Sequence, residues 1–150
     1  MLTQRGMDQP RSLTMSRDDR RNAPHVLLAE DDAAMRELLS FCLYQAGYRV
    51  TSCADGLSLL ECLEGNQGTT NSIDLLVTDI RMPALTGLEA LEANGDSPRK
   101  LPTICMTAFG DSRTHAAARQ LGAVEVLDKP FDIDQFLDRV RNLCPLSGNA

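Results

Sequence analysis

The chain has 150 residues, of which 43% are apolar, and its formal net charge is −6. This length suits one domain with a short tail, and the apolar fraction is large enough to build a buried core. The negative charge argues against a nucleic-acid-binding surface, and no apolar stretch is long enough to cross a bilayer.

Residues 1–24 differ in composition from the rest of the chain. They hold five arginines and three aspartates, and they lack the apolar core of a signal peptide. We expect a disordered, solvated leader over residues 1–24, one domain over residues 25–144 and a C-terminal tail over residues 145–150.

The cysteines are odd in number and scattered, with no C-x-x-C pair: Cys42, Cys53, Cys62, Cys105 and Cys144. Without a secretory signal, this pattern predicts reduced thiols and a cytoplasmic protein.

Short apolar runs alternate with helical patterns along the domain. Strands are predicted at residues 25–29, 49–53, 74–79, 102–106 and 124–127. The first helix has an apolar face of Met35, Leu38, Leu39, Cys42, Leu43 and Ala46 and ends at Gly47. The second carries Leu57, Leu60 and Leu63 and ends at Gly65. Helix N-caps are predicted at Asp32, Asp55, Asp111 and Asp132, the last with Gln135 placed for a capping box.

The region between the third and fourth strands has a weaker pattern. Leu88 and Leu91 suggest a helix after Gly87, but the run "EANGDSPRK" interrupts it. Five strands alternating with helices nevertheless imply parallel β-α-β units. We therefore predict an α/β fold with a doubly wound five-stranded parallel sheet and helices on both faces, whose ligands bind beyond the carboxyl ends of the strands.

Polar groups follow four of the predicted strands at that edge. The first strand is followed by Glu30, Asp31 and Asp32, the third ends in Asp79, the fourth runs into Thr107 and Ala108, and the fifth leads to Lys129 and Pro130. Because parallel strands end at the same edge, the sequence predicts a site there that contains several carboxylates, a hydroxyl and an ammonium group.

Several carboxylates at close range need a countercharge, and Mg²⁺ prefers oxygen ligands of this kind. We expect Asp31, Asp79 and the backbone carbonyl of Arg81 to bind the ion, with Glu30 acting through water. Asp79 is the candidate nucleophile toward a phosphoryl group. Lys129 would offset the charge that develops on the phosphoryl oxygens.

Four segments in this order resemble the receiver domain of two-component response regulators: "VLLAEDD", "LLVTDIRMPALTGLE", "ICMTA" and "VLDKPF". The similarity extends from about His25 to Leu143 and implies a flavodoxin-like sheet of order 2-1-3-4-5. It implies that Glu30 and Asp31 are the acidic pair, Asp79 the phosphoacceptor, Thr107 the switch hydroxyl and Lys129 the family's lysine, with a cis bond before Pro130.

The resemblance also implies partners and a mode of action. A sensor histidine kinase or a histidine phosphotransfer protein would donate the phosphoryl group to Asp79, and a shift in conformation would carry the signal to an unknown downstream protein. Such a protein is a signalling domain, which assists its own phosphorylation and dephosphorylation, rather than an enzyme. It would work alone or as part of a longer regulator.

One position departs from the family pattern. Val126 lies three residues before Lys129, where the family usually has an aromatic residue that turns inward on activation. Valine is short and stiff, so the way in which switching is transmitted stays open.

Other functions remain as alternatives. A receiver-like scaffold that is not phosphorylated would act by protein contacts alone. A phosphohydrolase with an aspartyl nucleophile usually has a second aspartate two residues later, where this chain has Arg81. A dinucleotide binder would show G-x-G-x-x-G after the first strand, and none is present.

Overall fold

The structure, a computed structural model, describes residues 22–65, 72–81, 89, 92, 101–108 and 110–146. These contain five strands and four helices, in the order β1 (His25–Ala29), α1 (Ala33–Ala46), β2 (Arg49–Cys53), α2 (Gly56–Gly65), β3 (Leu75–Asp79), β4 (Thr103–Thr107), α3 (Ser112–Gln120), β5 (Glu125–Asp128) and α4 (Ile133–Leu143). Residues 1–21 of the expected leader lie outside the described residues. Of the helix expected after Gly87, only Glu89 and Glu92 are described, and both are helical. None of the described helices has the length and apolarity needed to span a bilayer.

The five strands form one sheet of order β2-β1-β3-β4-β5, in which every neighbouring pair is parallel. The register places Asp79 opposite Met106 and Thr107 opposite Asp128. The carboxyl ends of the strands therefore lie along a single edge, which confirms the predicted doubly wound fold and its strand order.

Helices cover both faces of the sheet. Alternate residues of β3 point to opposite faces: Leu75 and Val77 join a core with α1 and α4, whereas Leu76 joins a core with α2. A third, smaller core under α3 contains Ile80, Cys105, Ala118, Ala123 and Val126. Because both of their faces are covered, β3 and β4 are buried along their whole length.

The buried faces of α1 and α2 differ by a small rotation about the helix axis from the apolar faces that the sequence predicted. In α1, Leu39 and Leu43 are buried as predicted, but Leu38 is 46% exposed. In α2, Leu59 is fully buried and Leu57 is 57% exposed. The prediction for Leu57 is wrong because packing against β1 and β2 selects the stripe Leu59, Cys62 and Leu63, which has equally good helical spacing.

Aspartate caps start most of the helices as predicted. Asp32 accepts a hydrogen bond from the Met35 amide at 2.9 Å, and Asp111 accepts one from the Thr114 amide at 2.7 Å. Asp55 accepts one from the Ser58 amide at 2.8 Å. At α4 the helix begins after Asp132, but this side chain makes no capping bond, so the capping box expected with Gln135 is wrong.

Packing contacts, rather than a capping hydrogen bond, hold α4 in place. Phe136 and Val140 are fully buried, and the Phe131 and Phe136 rings stack with centroids 5.7 Å apart. At the far end of the same core, the Tyr48 hydroxyl donates to the Cys144 carbonyl at 2.7 Å. These contacts supply more stabilisation than one cap bond would, because each buried aromatic side chain removes a large apolar area from water.

Candidate functional site

Lys129 connects two of the carboxylates predicted for the site. Its Nζ lies 2.7 Å from Glu30 Oε1 and 2.8 Å from Asp79 Oδ2. The lysine comes from the end of β5, Glu30 from the end of β1 and Asp79 from the end of β3. The strand order therefore brings together residues that are up to 99 positions apart in the sequence.

Glu30 is the most deeply buried acid of the group, with only 1% of its side chain exposed. Its second oxygen, Oε2, accepts a hydrogen bond from the Asp32 amide at 3.1 Å. Burial raises the pKa of Glu30, and the nearby charge of Asp79 raises it too, whereas the hydrogen bonds from Lys129 and Asp32 lower it. Glu30 thus depends on Lys129 to keep its charge.

Asp79 has a hydrogen-bond donor at each carboxylate oxygen. Oδ2 accepts from Lys129, and Oδ1 accepts from the Arg81 amide at 3.1 Å. Only 9% of the side chain is exposed. The Thr78 hydroxyl donates to the Asp79 backbone carbonyl at 3.0 Å, so both the side chain and the main chain of Asp79 are held in place.

Asp31 completes an acidic cluster that consists of Glu30, Asp31 and Asp79. One carboxylate oxygen from each residue lies within 4.8 Å of the other two. Asp31 is exposed, whereas the other two acids are buried. Three carboxylate oxygens at this spacing, open to solvent at one side, suit a hard divalent cation such as Mg²⁺.

Lys129 remains a cation in this environment. Burial lowers its pKa, but the hydrogen bonds and charges of Asp79 and Glu30 raise it by more, and the net pKa lies above the usual value. Lys129 therefore balances part of the negative charge of the acidic cluster at neutral pH.

Thr107 and the Lys129–Pro130 bond occupy the neighbouring strand ends. Thr107 is buried at the end of β4, and its backbone carbonyl accepts a hydrogen bond from the Lys129 amide at 2.8 Å. The Lys129–Pro130 peptide bond is cis, as the family resemblance implied. Exposed Ala108 follows Thr107.

Arg36 is a member of the site that the sequence did not reveal. Its Nη1 donates to the Glu30 carbonyl at 2.8 Å and lies 3.5 Å from the Asp31 carbonyl. Arg36 is in the first turn of α1, so its side chain links the start of this helix to the residues that directly follow β1. No strand end or motif in the sequence marked this residue.

Val126 is buried, with 7% exposure, in the core under α3. It lies opposite Cys105 in the β4–β5 ladder. The position that usually carries an aromatic residue is thus filled by a short side chain in a core with Ile80, Ala118 and Ala123.

The fold and site together define an α/β domain with a lysine-bridged acidic cluster at the carboxyl edge of its sheet. Residues 26–141 match the family model for the response regulator receiver domain. The chain belongs to this family, which confirms the resemblance seen in the sequence.

Two curated relatives show how much of this chain, and how much of each relative, the similarity covers. The transcriptional regulatory protein FixJ of Bradyrhizobium diazoefficiens is 39% identical over 111 residues, which are 74% of this chain and 52% of FixJ. The sporulation initiation phosphotransferase F of Bacillus subtilis is 31% identical over 124 residues, which are 83% of this chain and 96% of that protein. The chain spans about half the length of FixJ and nearly all of phosphotransferase F.

Solved structures give the same fold. The receiver domain of the Francisella response regulator 1452 superposes with a TM-score of 0.74 at 28% identity, covering 80% of this chain and 95% of that domain. The receiver domain of the Pseudomonas aeruginosa sensor histidine kinase PA1611, solved with magnesium coordinated in its active-site cleft, gives 0.71 at 26% identity, covering 80% and 96%.

Proposed function

We propose that this receiver domain accepts a phosphoryl group on Asp79 in a Mg²⁺-dependent reaction and signals through a change in conformation. The observation that carries the proposal is the setting of Asp79, which is nearly buried, fixed at both oxygens and bridged to Glu30 by Lys129. A carboxylate held in this way is positioned for in-line attack on phosphorus.

The transfer step uses a phosphohistidine of the donor protein. A carboxylate oxygen of Asp79 forms a bond to phosphorus while the phosphorus–nitrogen bond breaks, and the electron pair of that bond returns to the imidazole nitrogen. Lys129 stabilises the negative charge on the phosphoryl oxygens during this step. The Thr107 hydroxyl donates a hydrogen bond to a phosphoryl oxygen in the product.

The residues around Asp79 fit a bound Mg²⁺. Glu30, Asp31, Asp79 and the backbone carbonyl of Arg81 would hold the ion, Glu30 through water. The ion would offset negative charge on the phosphoryl group and on the acids themselves. Arg36 fixes the backbone of Glu30 and Asp31 and thereby orients these ligands.

The donor is a sensor histidine kinase or a histidine phosphotransfer protein, which must bring its histidine to Asp79. The outer face of α1, formed by Leu38, Phe41 and Tyr44, is 46%, 60% and 52% exposed. This helix starts directly after the acidic pair, so a protein bound along it would reach the site. An exposed apolar face of this kind is typical of a protein-binding surface, and we assign it to the phosphodonor.

Phosphorylation by a small donor tests the proposed function without the natural kinase. After incubation with acetyl phosphate and Mg²⁺, intact mass spectrometry should show one added phosphoryl group. The addition should be absent without Mg²⁺ and absent in Asp79→Asn. A folded protein that gains no mass under any of these conditions would be a receiver-like scaffold instead.

A further inference from the structure

A histidine–aspartate pair lies beside the site but outside the acidic cluster. His115 Nε2, on α3, is 2.7 Å from Asp128 Oδ1, at the end of β5. Because a carboxylate only accepts hydrogen bonds, the ring nitrogen is the donor. Asp128 directly precedes Lys129 and lies opposite Thr107 in the sheet, so the pair joins α3 to the strand ends that carry two of the proposed functional residues.

Gly110 lies beside the same carboxylate. A Cβ atom added at Gly110 would lie 2.2 Å from Asp128 Oδ1 and 2.5 Å from its Cγ. The carboxylate therefore rests against the backbone of the connection between β4 and α3, in space that any larger residue would fill. Asp128 Oδ1 is therefore both the acceptor of the His115 hydrogen bond and the side-chain atom nearest to the position of a Cβ at Gly110.

Little of α3 is buried. Ala118 is the one residue of this helix that is buried, and it packs among small groups that include Val126 and Cys105. A helix with so little buried apolar area gains a smaller share of its stabilisation from packing. The polar contact to Asp128 therefore carries a larger share of the energy that positions α3.

We propose that His115, Asp128 and Gly110 form a latch that holds α3 in the position of the unphosphorylated protein and opposes switching. The inference rests on the proposed function. When the Thr107 hydroxyl turns to the phosphoryl group, the connection that follows Thr107 moves with it and pulls on α3. The latch ties α3 to β5, so it must open before the helix can follow.

A contact that exists in one of two states shifts the equilibrium toward that state. Opening the latch by mutation should therefore favour the active state and strengthen binding of a phosphoryl mimic. His115 and Asp128 do not touch the reacting atoms. They are positioning residues that act through α3 and Thr107.

The test is a titration with beryllofluoride, a stable phosphoryl mimic, in the presence of Mg²⁺, followed by NMR of backbone amides. His115→Ala, Asp128→Ala and Gly110→Ala should each bind the mimic about two- to fivefold more tightly than the parent, the range expected for an exposed charge-assisted contact. Gly110→Ala is informative because it displaces the carboxylate while His115 and Asp128 both remain. His115→Gln keeps an N–H donor and should bind like the parent.

Two controls match these variants in chemistry. Asp138→Asn removes an exposed aspartate that pairs with Arg141 at 3.5 Å on α4. Gly65→Ala adds a Cβ that meets no atom within 4 Å. Both should bind the mimic with the parent's affinity, and the double variant His115→Ala/Asp128→Ala should gain no more than either single variant.

Hydrogen exchange of the α3 amides in the unliganded protein tests the latch independently of the proposed function. Faster exchange in all three latch variants together with tighter mimic binding supports the proposal. Unchanged or weaker mimic binding in the variants overturns it, and so does an additive double variant. A parent protein that binds no mimic would refute the proposed function, while the exchange rates would still show whether the contact holds α3.

Discussion

At the scale of single residues, the site is organised around the contacts of Lys129 with two acids. Lys129 contacts Glu30 and Asp79 at 2.7 and 2.8 Å, and Glu30 is buried so fully that burial raises its pKa. The sequence predicted these residues because each one follows a strand. It could not predict Arg36, since no strand end or motif marks the residue, and only the folded β1–α1 turn brings its guanidinium to the carbonyls.

Lys129→Met should slow phosphorylation of Asp79 by acetyl phosphate at least roughly tenfold, because a fixed positive charge near the transferring group is lost. The rate of mass gain at saturating Mg²⁺ measures the effect. Arg141→Met, which removes an exposed cation on α4, serves as the control. Equal rates in the two variants would show that Lys129 does not act on the phosphoryl group.

Arg36→Met should weaken Mg²⁺ binding by roughly tenfold, the usual effect of removing a group that orients metal ligands. Arg36→Lys keeps one donor and should restore part of the affinity. Calorimetric titration with Mg²⁺ gives the dissociation constants, and circular dichroism verifies that both variants fold. Unchanged affinity in Arg36→Met would exclude a role in orienting Glu30 and Asp31.

At the scale of secondary-structure elements, the number and order of strands followed from the alternating pattern, whereas the rotation of each helix did not. In α2 the stripes containing Leu57 and Leu59 have comparable spacing, and the contact with β1 and β2 decides between them. In the same way, the sequence suggested capping at both Asp111 and Asp132, but only Asp111 makes the bond.

Asp111→Ala should therefore lower the urea midpoint of unfolding more than Asp132→Ala does. The hydrogen bonds from the backbone and side chain of Thr114 lower the pKa of Asp111. A lowered pKa in the folded state gives stabilisation that is present at neutral pH and is lost as the pH falls through that pKa. Equal midpoints for the two variants at pH 7 would contradict this account of the caps.

The outer face of α1 leads to a prediction about the phosphodonor. Phe41→Ala and Tyr44→Ala should slow phosphoryl transfer from a histidine phosphotransfer protein but leave transfer from acetyl phosphate unchanged, because the small donor needs no docking surface. Leu57→Ala, an exposed leucine on α2, is the matched control. Slowing with both donors would mean that these side chains support the site rather than the partner.

At the scale of the whole molecule, the core includes three buried thiols. Burial raises the pKa of Cys53 and Cys105 to about 12 and that of Cys144 to about 11. All five cysteines are free thiols in the structure. Aliphatic side chains and thiols thus fill a core that has few aromatic rings.

These thiols should make stability fall at alkaline pH. A raised folded-state pKa gives stabilisation that is complete below the ordinary thiol pKa and is lost as pH rises toward the folded-state value. The free energy of unfolding should decline above about pH 9, by up to about 1.4 kcal/mol per pH unit for each thiol. Urea unfolding at several pH values measures the slope, which Cys105→Ala should make shallower. An identical slope in that variant would contradict the assignment.

The central claim is that Asp79 accepts a phosphoryl group, and chemical trapping tests it most directly. After incubation with acetyl phosphate and Mg²⁺, borohydride reduces an aspartyl phosphate to homoserine, which peptide sequencing by mass spectrometry locates. We predict homoserine at position 79 and none when Mg²⁺ is left out. Homoserine at another acid, or at none in a folded protein, would contradict the proposed function.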